Sequence, residues 1–437
     1  MTMNPRFARL LLGAALILPT APVLAETIAI RAGRLITDAA LPARGPSTII
    51  VTDGRITAIN DPGAPIPAGA TIVDQSTKTV LPGLMDAHVH LGGDADDAWY
   101  ASFTPKRTEA YSVAVGLRNA LLTARAGFTT VRELGAGVHA GVAVRDAIND
   151  GLAPGPRILT SGPALSVIGG HGDTSYGINP EVADALDRAY PQINLCTGAD
   201  GCAAATRAVT KTGVDVIKIT ATGGVLSLGN AGLEQHFSNA EMRSIADTAH
   251  RMGLKVAAHA HGARGIEAAA NAGIDSIEHG TYADDASIKA MKTHGTVMVA
   301  TLMAIEGLKE RLGKGFYTPA VETKANQVVA LQGKQLAAAY KAGVPIALGT
   351  DAGVFTHGRN GEELGLMVRL GGMTPRDALI AATSGTAKLL GIDGDTGTLA
   401  PGKAADLIAV DGDPLQDPAA VLKIAYVMVR GKAIPLK

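Results

Sequence analysis

Six times in this chain a helix-like segment ends in a glycine and runs at once into an apolar strand. TARAG leads into FTTVREL, TKTG into VDVIKIT, HRMG into LKVAAHA, ANAG into IDSIEHG, KTHG into TVMVATL and YKAG into VPIALGTD. A glycine just past a helix takes the left-handed conformation without steric cost, so it stops the helix and turns the chain. The strands are continuous apolar runs rather than alternating ones, as a parallel sheet buried on both faces requires. Adding TVLPGLMDAHVH and RILTS gives eight strands interleaved with helices. The pattern predicts an α/β fold, a (β/α)8 TIM-type barrel whose active site lies at the carboxyl ends of the strands. Ser238 with Glu241, and Thr374 before Pro375, read as helix starts and support this segmentation.

A barrel of this kind takes about 250 residues, and the chain has 437. The surplus lies at its ends. Residues 26–81 (IAIRAGRLITD, TIIVTDGRITAI) and 397–437 (AADLIAVDGDPL, AYVMVRGKAIPL) are strand-like and lack the helix–Gly–strand unit. The expected organisation is therefore a small β-sandwich domain built from both termini, 26–81 and 397–437, beside a barrel spanning 82–396. Residues 1–25 stand apart: Arg6 and Arg9 precede LLLGAALIL, and small residues precede Ala25. They read as a secretory signal peptide cut after Ala25, too short to span a bilayer, which predicts a periplasmic or secreted protein with no membrane contact after its removal. A formal net charge of −1 without a basic stripe argues against a nucleic-acid partner. Cys196 and Cys202 are the only cysteines; in an oxidising compartment they form a small disulfide or remain two free thiols.

The polar residues at the strand ends carry the chemistry. His88 and His90 close the first strand, and residues i and i+2 of a strand point to one side. Lys218, His259, His279 and Asp351 each sit at or just past the end of an apolar run. Imidazoles and a carboxylate are what a divalent transition metal takes as ligands. A lone His-x-His is weak evidence; the further candidates at the carboxyl ends of separate strands make it specific.

This arrangement of His-x-His, Lys, His, His and Asp resembles the metal centre of the binuclear metal-dependent amidohydrolase superfamily. The terminal segments (AGRLITD…VTDGRITAI and TGTLAPGKAADLIAVDGDPL) are similar to that family's small domain. VIKITATGGV, AAHAHG, SIEHGT and LGTDAG resemble the branch of Xaa-Pro dipeptidases, imidazolonepropionase-like proteins and, most of all, bacterial ochratoxin A-hydrolysing amidohydrolases. The resemblance implies two divalent ions per chain, zinc in the first instance. His88, His90 and Asp351 would hold one ion and His259 and His279 the other. Lys218, carboxylated by CO2, would bridge them. It also implies a homo-oligomer, with an octamer as the form to test.

The expected chemistry follows. Paired ions lower the pKa of water toward neutrality, and Asp351 moves the proton to the leaving nitrogen. The expected substrate is a small-molecule amide or short peptide releasing an α-amino acid with a free carboxylate, such as ochratoxin A, which would yield ochratoxin alpha and phenylalanine. Alternative readings are an Xaa-Pro-type dipeptidase or carboxypeptidase, a mononuclear imidazolonepropionase-like ring hydrolase, and a non-catalytic periplasmic metal- or ligand-binding protein. Lys218 argues against the mononuclear reading and the intact ligand set against the last. His171, in the Gly-rich loop after strand 3, is expected to help catalysis and hold the substrate carboxylate. His357, His294, Gly223 and Gly224 are further candidates for substrate binding. His261 either shares the side of His259 or lies in a surface loop. The stretch from Ala164 to Asp200 is expected to be a lid.

Overall fold

The computed structural model describes residues 26–95, 108–227 and 232–437; the expected signal peptide lies outside them. Strands β1 (Thr27–Leu35), β2 (Ser47–Thr52), β3 (Arg55–Asn60) and β4 (Thr71–Pro82) come from the start of the described chain. Strands β5 (Leu84–Val89), β6 (Phe128–Glu133) and β7 (Arg157–Thr160) form a parallel sheet. After the short strands β8 (Ser166–Val167) and β9 (Leu195–Cys196), a second parallel sheet contains β10 (Val216–Thr220), β11 (Lys255–Ala260), β12 (Ser276–His279) and β13 (Val297–Val299). Strands β14 (Leu407–Val410), β15 (Ile424–Val429) and β16 (Lys432–Ala433) complete the set. They join β1–β4 in one seven-stranded sheet of order β16-β15-β14-β4-β1-β2-β3, so the two ends of the chain share a sheet.

The local rules read from the sequence explain these elements. Gly127, Gly213, Gly253, Gly273, Gly295 and Gly343, the six glycines between helix and strand, all have positive φ. Helix α1 (Glu109–Arg125) precedes β6, α2 (Ala140–Asn149) precedes β7, α3 (Pro180–Ala189) lies between β8 and β9, and α4 (Gly198–Thr210) precedes β10. Helices α5 (Asn239–Arg251), α6 (Ala263–Asn271) and α7 (Asp285–His294) precede β11, β12 and β13. Ser238 and Glu241 form the reciprocal capping box at the start of α5. The main core packs parallel strands such as Ile217, Ile219, Val256 and Ile277 against the helices. A second cluster (Ile30, Ile49, Ile56, Leu407, Met428) lies on the seven-stranded sheet.

Three expectations change. The run 79–90 is not one strand: Gly83 separates β4 from β5, and its N–H bonds Asp406 O at 3.0 Å. A Cβ at Gly83 would lie 2.1 Å from Thr129 Oγ1, so only glycine lets the chain pass from one sheet to the other there. The segment 344–351 is not a regular strand. It is an extended stretch bridged at Met298–Ile346 and continued by a Val89–Ala352 bridge, because its bonds alternate between β13, β5 and the helical segment at Ala381. The stretch from Ala164 to Asp200 is structured rather than an irregular lid. It carries β8 paired with β9 and helix α3, with Cys196 and Cys202 joined as a disulfide.

Candidate active site

The site grows from the carboxyl ends of the parallel strands. In the register of β10 and β11, Thr220 lies opposite His259, and in β11 and β12, Ala260 lies opposite His279. This stagger, with Lys218 two residues before Thr220, brings three side chains from adjacent strands to one spot. On the other sheet, the N–H groups of Thr350 and Asp351 both bond the carbonyl of His88 (3.3 and 2.7 Å), which carries the Asp351 segment alongside the first strand.

The polar tips converge. His88 Nε2 lies 3.3 Å from His90 Nε2, 3.5 Å from Lys218 Nζ and 3.5 Å from Asp351 Oδ1. His90 Nε2 is 3.1 Å from Asp351 Oδ1, and His279 Nε2 is 2.9 Å from His259 Nδ1. Two of these residues are held in the left-handed region, His279 at φ 72° and Asp351 at φ 62°, with Thr301 beside them at φ 48°. That conformation is costly for residues with a Cβ and collects at functional sites. At His279 it has a visible effect. Glu278 and His279 are consecutive in β12, yet both reach His88, the first by a hydrogen bond and the second with ring centroids 5.2 Å apart.

The ring nitrogens away from this centre meet oxygen acceptors. His88 Nδ1 donates to Glu278 Oε2 (2.9 Å), His90 Nδ1 to Gly135 O (3.3 Å) and His259 Nε2 to Gly223 O (3.2 Å). A carbonyl or carboxylate can only accept, so the opposite nitrogen of each ring keeps its lone pair and turns it inward. This is the outer hydrogen bonding that metal-ligating histidines make. Burial keeps three of the imidazoles neutral: it lowers His88 to about 4 and takes His259 and His279 well below the usual histidine value, whereas at His90 the hydrogen bond and charge of Asp351 outweigh burial and raise the pKa. Asp351 is the reverse case. Burial alone would raise its pKa, but His88, His90 and His279 outweigh burial and hold the carboxyl ionised. Burial lowers Lys218 to about 8, against the pull of Glu278 and Asp351. The donor set of inward-facing imidazoles, an ionised carboxylate and a readily deprotonated lysine fits divalent metal ions. Ligand atoms of His88, His279 and Asp351 lie within 4.8 Å of one another, as do those of His259, His261 and His279.

His261 is thus the residue that sequence reasoning left undecided. It is buried, its Nδ1 lies 2.8 Å from Thr281 Oγ1, and its ring stacks on His279 at 4.9 Å. Its spacing of two from His259 was the available signal. Glu278, Glu133 and Asp86 were missed altogether. Each is a buried carboxylate on the strand framework: Glu133 accepts from the N–H of Leu91 (2.8 Å), and Asp86 accepts from Thr350 and Asn360.

The candidate ligands floor a cavity of about 560 Å³ whose walls are largely apolar, with Leu226, Ile305, Leu308, Phe316, Tyr317 and Val354 among them. His171 lines it, with its ring 4.4 Å from that of His259 and its Nδ1 2.6 Å from Ser227 Oγ. Burial lowers His171 to about 3, so it is a neutral imidazole. Gly224 makes room for it: a Cβ there would fall 2.3 Å from the His171 ring. Gly223 does not line the cavity; it packs on the backbone at Gly232 and presents its carbonyl to His259. Two expected substrate contacts are displaced. His357 is buried behind His90, its Nε2 donating to the carbonyls of His90 and Gly93 (3.2 Å each), where it braces the loop after β5. His294 is exposed at the end of α7, before β13 begins and so at the opposite strand end from the site.

Residues 79–434 match the model of the amidohydrolase family. The chain belongs to the amidohydrolase family. The amidohydrolase is 38% identical over 416 residues to the ochratoxinase of Aspergillus niger, covering 90% of this chain and 83% of that one. It resembles the crystal structure of a Xaa-Pro dipeptidase with bound methionine in the active site, with a TM-score of 0.86 and 36% identity over 93% of this chain and 99% of the other. It also resembles the crystal structure of the A. niger ochratoxinase, with a TM-score of 0.83 and 32% identity over 94% and 95% of the two chains. This amidohydrolase is a metal-dependent hydrolase of α/β fold. Among its described residues no helix is long and apolar enough to cross a membrane.

Proposed function

We propose that the protein is a binuclear amide or peptide hydrolase whose substrate releases an α-amino acid with a free carboxylate. One observation carries this reading: a buried lysine of lowered pKa sits among four imidazoles and an ionised carboxylate at the floor of a largely apolar cavity. His88, His90 and Asp351 would hold one ion, His259 and His279 the other, and Lys218, as its carboxylated form, both. His261 stands beside the second set as a further imidazole. Zinc suits such ligands. When bound, the ions supply Lewis acidity and a water of lowered pKa.

The chain's own residues do the rest. Carboxylation needs a neutral amine, and burial of Lys218 favours that form. Asp351 is ionised and reaches the centre from the segment after β13, so it can take a proton from the attacking water and return it to the leaving nitrogen. His171, neutral and facing the cavity, can donate to the substrate carboxylate. The apolar walls suit a bulky hydrophobic substrate. Ochratoxin A, named by the function of the fungal relative, has this character, and so does a dipeptide with an apolar end, in line with the dipeptidase likeness.

The same reading covers the rest of the chain. Bridges at Leu165–Ile219, Met298–Ile346 and Val89–Ala352 link the two parallel sheets and support a (β/α)8 barrel over 82–396. The shared seven-stranded sheet supports a small domain made of 26–81 and 397–437. Export through residues 1–25 and assembly into a homo-oligomer complete the proposal, and the Cys196–Cys202 disulfide favours an oxidising compartment. The test is a substrate panel on zinc-loaded enzyme, with ochratoxin A, N-acyl amino acids and Xaa-Pro dipeptides, alongside the metal content. Two ions per chain with turnover of one of these amides are expected. One ion, or none held firmly, would overturn the binuclear reading.

A further inference from the structure

Beneath the candidate ligands lies an ion pair with no part in binding substrate. Arg132, on β6, and Glu278, on β12, are 1% and 0% exposed, and Arg132 Nη2 donates to Glu278 Oε1 at 2.9 Å. Burying such a pair is expensive, and well-packed apolar residues in its place are commonly as stable or more so. Its geometry shows what it is directed at. Glu278 Oε1 accepts from Arg132 and from Ser276 Oγ (2.6 Å), which leaves Oε2 for the Nδ1–H of His88 (2.9 Å). Arg132 Nε donates to the carbonyl of Ala87 (2.6 Å), the residue before His88. The pair therefore grips His88 twice, by its ring and by the backbone that carries it.

We propose that Arg132 and Glu278 form a positioning unit that fixes the His88 ring as its Nδ1–H tautomer and aims Nε2 at the metal centre, and so sets how tightly the ion on the His88 side is held. This rests on His88 being a ligand. Arg132 and Ser276 both donate to Oε1, so Oε2 is the atom left to accept the Nδ1–H of His88. Among the candidate ligands, His90 and His259 lean on backbone carbonyls; His88 leans on a charged group held by its own counter-ion, which makes it the better base toward an ion.

The test is zinc competition against a chromophoric chelator, with ions retained per chain and melting temperature measured on the same zinc-loaded samples. In Glu278→Gln the amide oxygen turns to Arg132 and Ser276, its NH2 faces His88, and the ring must carry its proton on Nε2. One of the two ions should then bind roughly 10- to 100-fold more weakly while the other is unchanged. The double variant Arg132→Met/Glu278→Met removes the buried charges together; it should melt near the parent temperature yet show the same single weakened ion. Parent-like zinc affinity at both sites in the folded double variant would overturn the proposal. His88→Ala separates this from the ligand assignment. If it loses one ion and Glu278→Gln does not, only the positioning role fails. If His88→Ala keeps both ions, the ligand assignment itself fails.

Discussion

His259 Nδ1 and His279 Nε2 face each other at 2.9 Å although the two residues sit on neighbouring strands, at positions where ordinary pleating would not bring both rings to one point. The left-handed backbone of His279 produces this meeting by turning the chain at the end of β12. Two nitrogens at that separation share one proton at most, and in the proposed function an ion bound by both would take that proton's place.

Chelation should therefore destabilise the protein. An ion present at a hundredfold excess over its Kd adds about 2.7 kcal/mol. The melting temperature should fall in EDTA and return with zinc; an unchanged Tm across that cycle would mean that no ion is bound by the folded state.

Lys218→Ala should lose most of its metal and nearly all turnover, because the buried side chain 3.5 Å from His88, proposed to bridge the ions, is gone. Metal analysis alongside steady-state rates checks this. Two tightly held ions with ordinary turnover in the variant would remove the bridging role.

Asp351→Asn keeps the size of the side chain and loses its basicity. The rate should drop by at least ~10²-fold, the lower range for a positioned acid–base group, with far-UV circular dichroism unchanged. A drop of less than tenfold at normal metal content would assign proton transfer elsewhere.

Gly224→Ala places a methyl group where the His171 ring lies. A displacement of about 1 Å in a positioning group can cost on the order of 10²-fold, so kcat/KM for the free-acid substrate should fall steeply. The methyl ester, a poor substrate for the parent if His171 holds the carboxylate, should change little. Equal losses for acid and ester would separate His171 from carboxylate recognition.

Glu363 offers a pH test away from the metal. Burial pushes its carboxyl up to about 8, although it accepts from the N–H groups of Leu302 (2.8 Å) and Met303 (2.7 Å). The folded state then keeps this proton up to that pH, while the unfolded chain releases it near the ordinary glutamate value. Between the two, the native state binds more protons, so this group's contribution falls as pH rises. Urea midpoints from pH 5 to 8 should decline less steeply in Glu363→Gln than in the parent; identical slopes would show that Glu363 is ionised throughout.

Much of this protein was legible in the chain because the rules involved are local. A glycine after a helix forces a turn whatever lies around it, so the six helix–Gly–strand junctions could be placed, and each has its positive φ. Strand ends are visible as the ends of apolar runs, and the sequence alone sets His88, His90, Lys218, His259, His279 and Asp351 at such ends. What the sequence could not decide was direction and depth. His357 and His171 both follow Gly-containing loops, yet one braces a backbone behind His90 and the other lines the cavity, because each position depends on how distant segments pack. Glu278 looked like one more charged residue in SIEHG, and only the meeting of β6, β12 and β5 makes it a buried partner of Arg132 and His88. The residue types and their spacing are fixed along the chain. The pairing of charges and the lone pairs that face the centre arise between strands, and only tertiary structure brings those together.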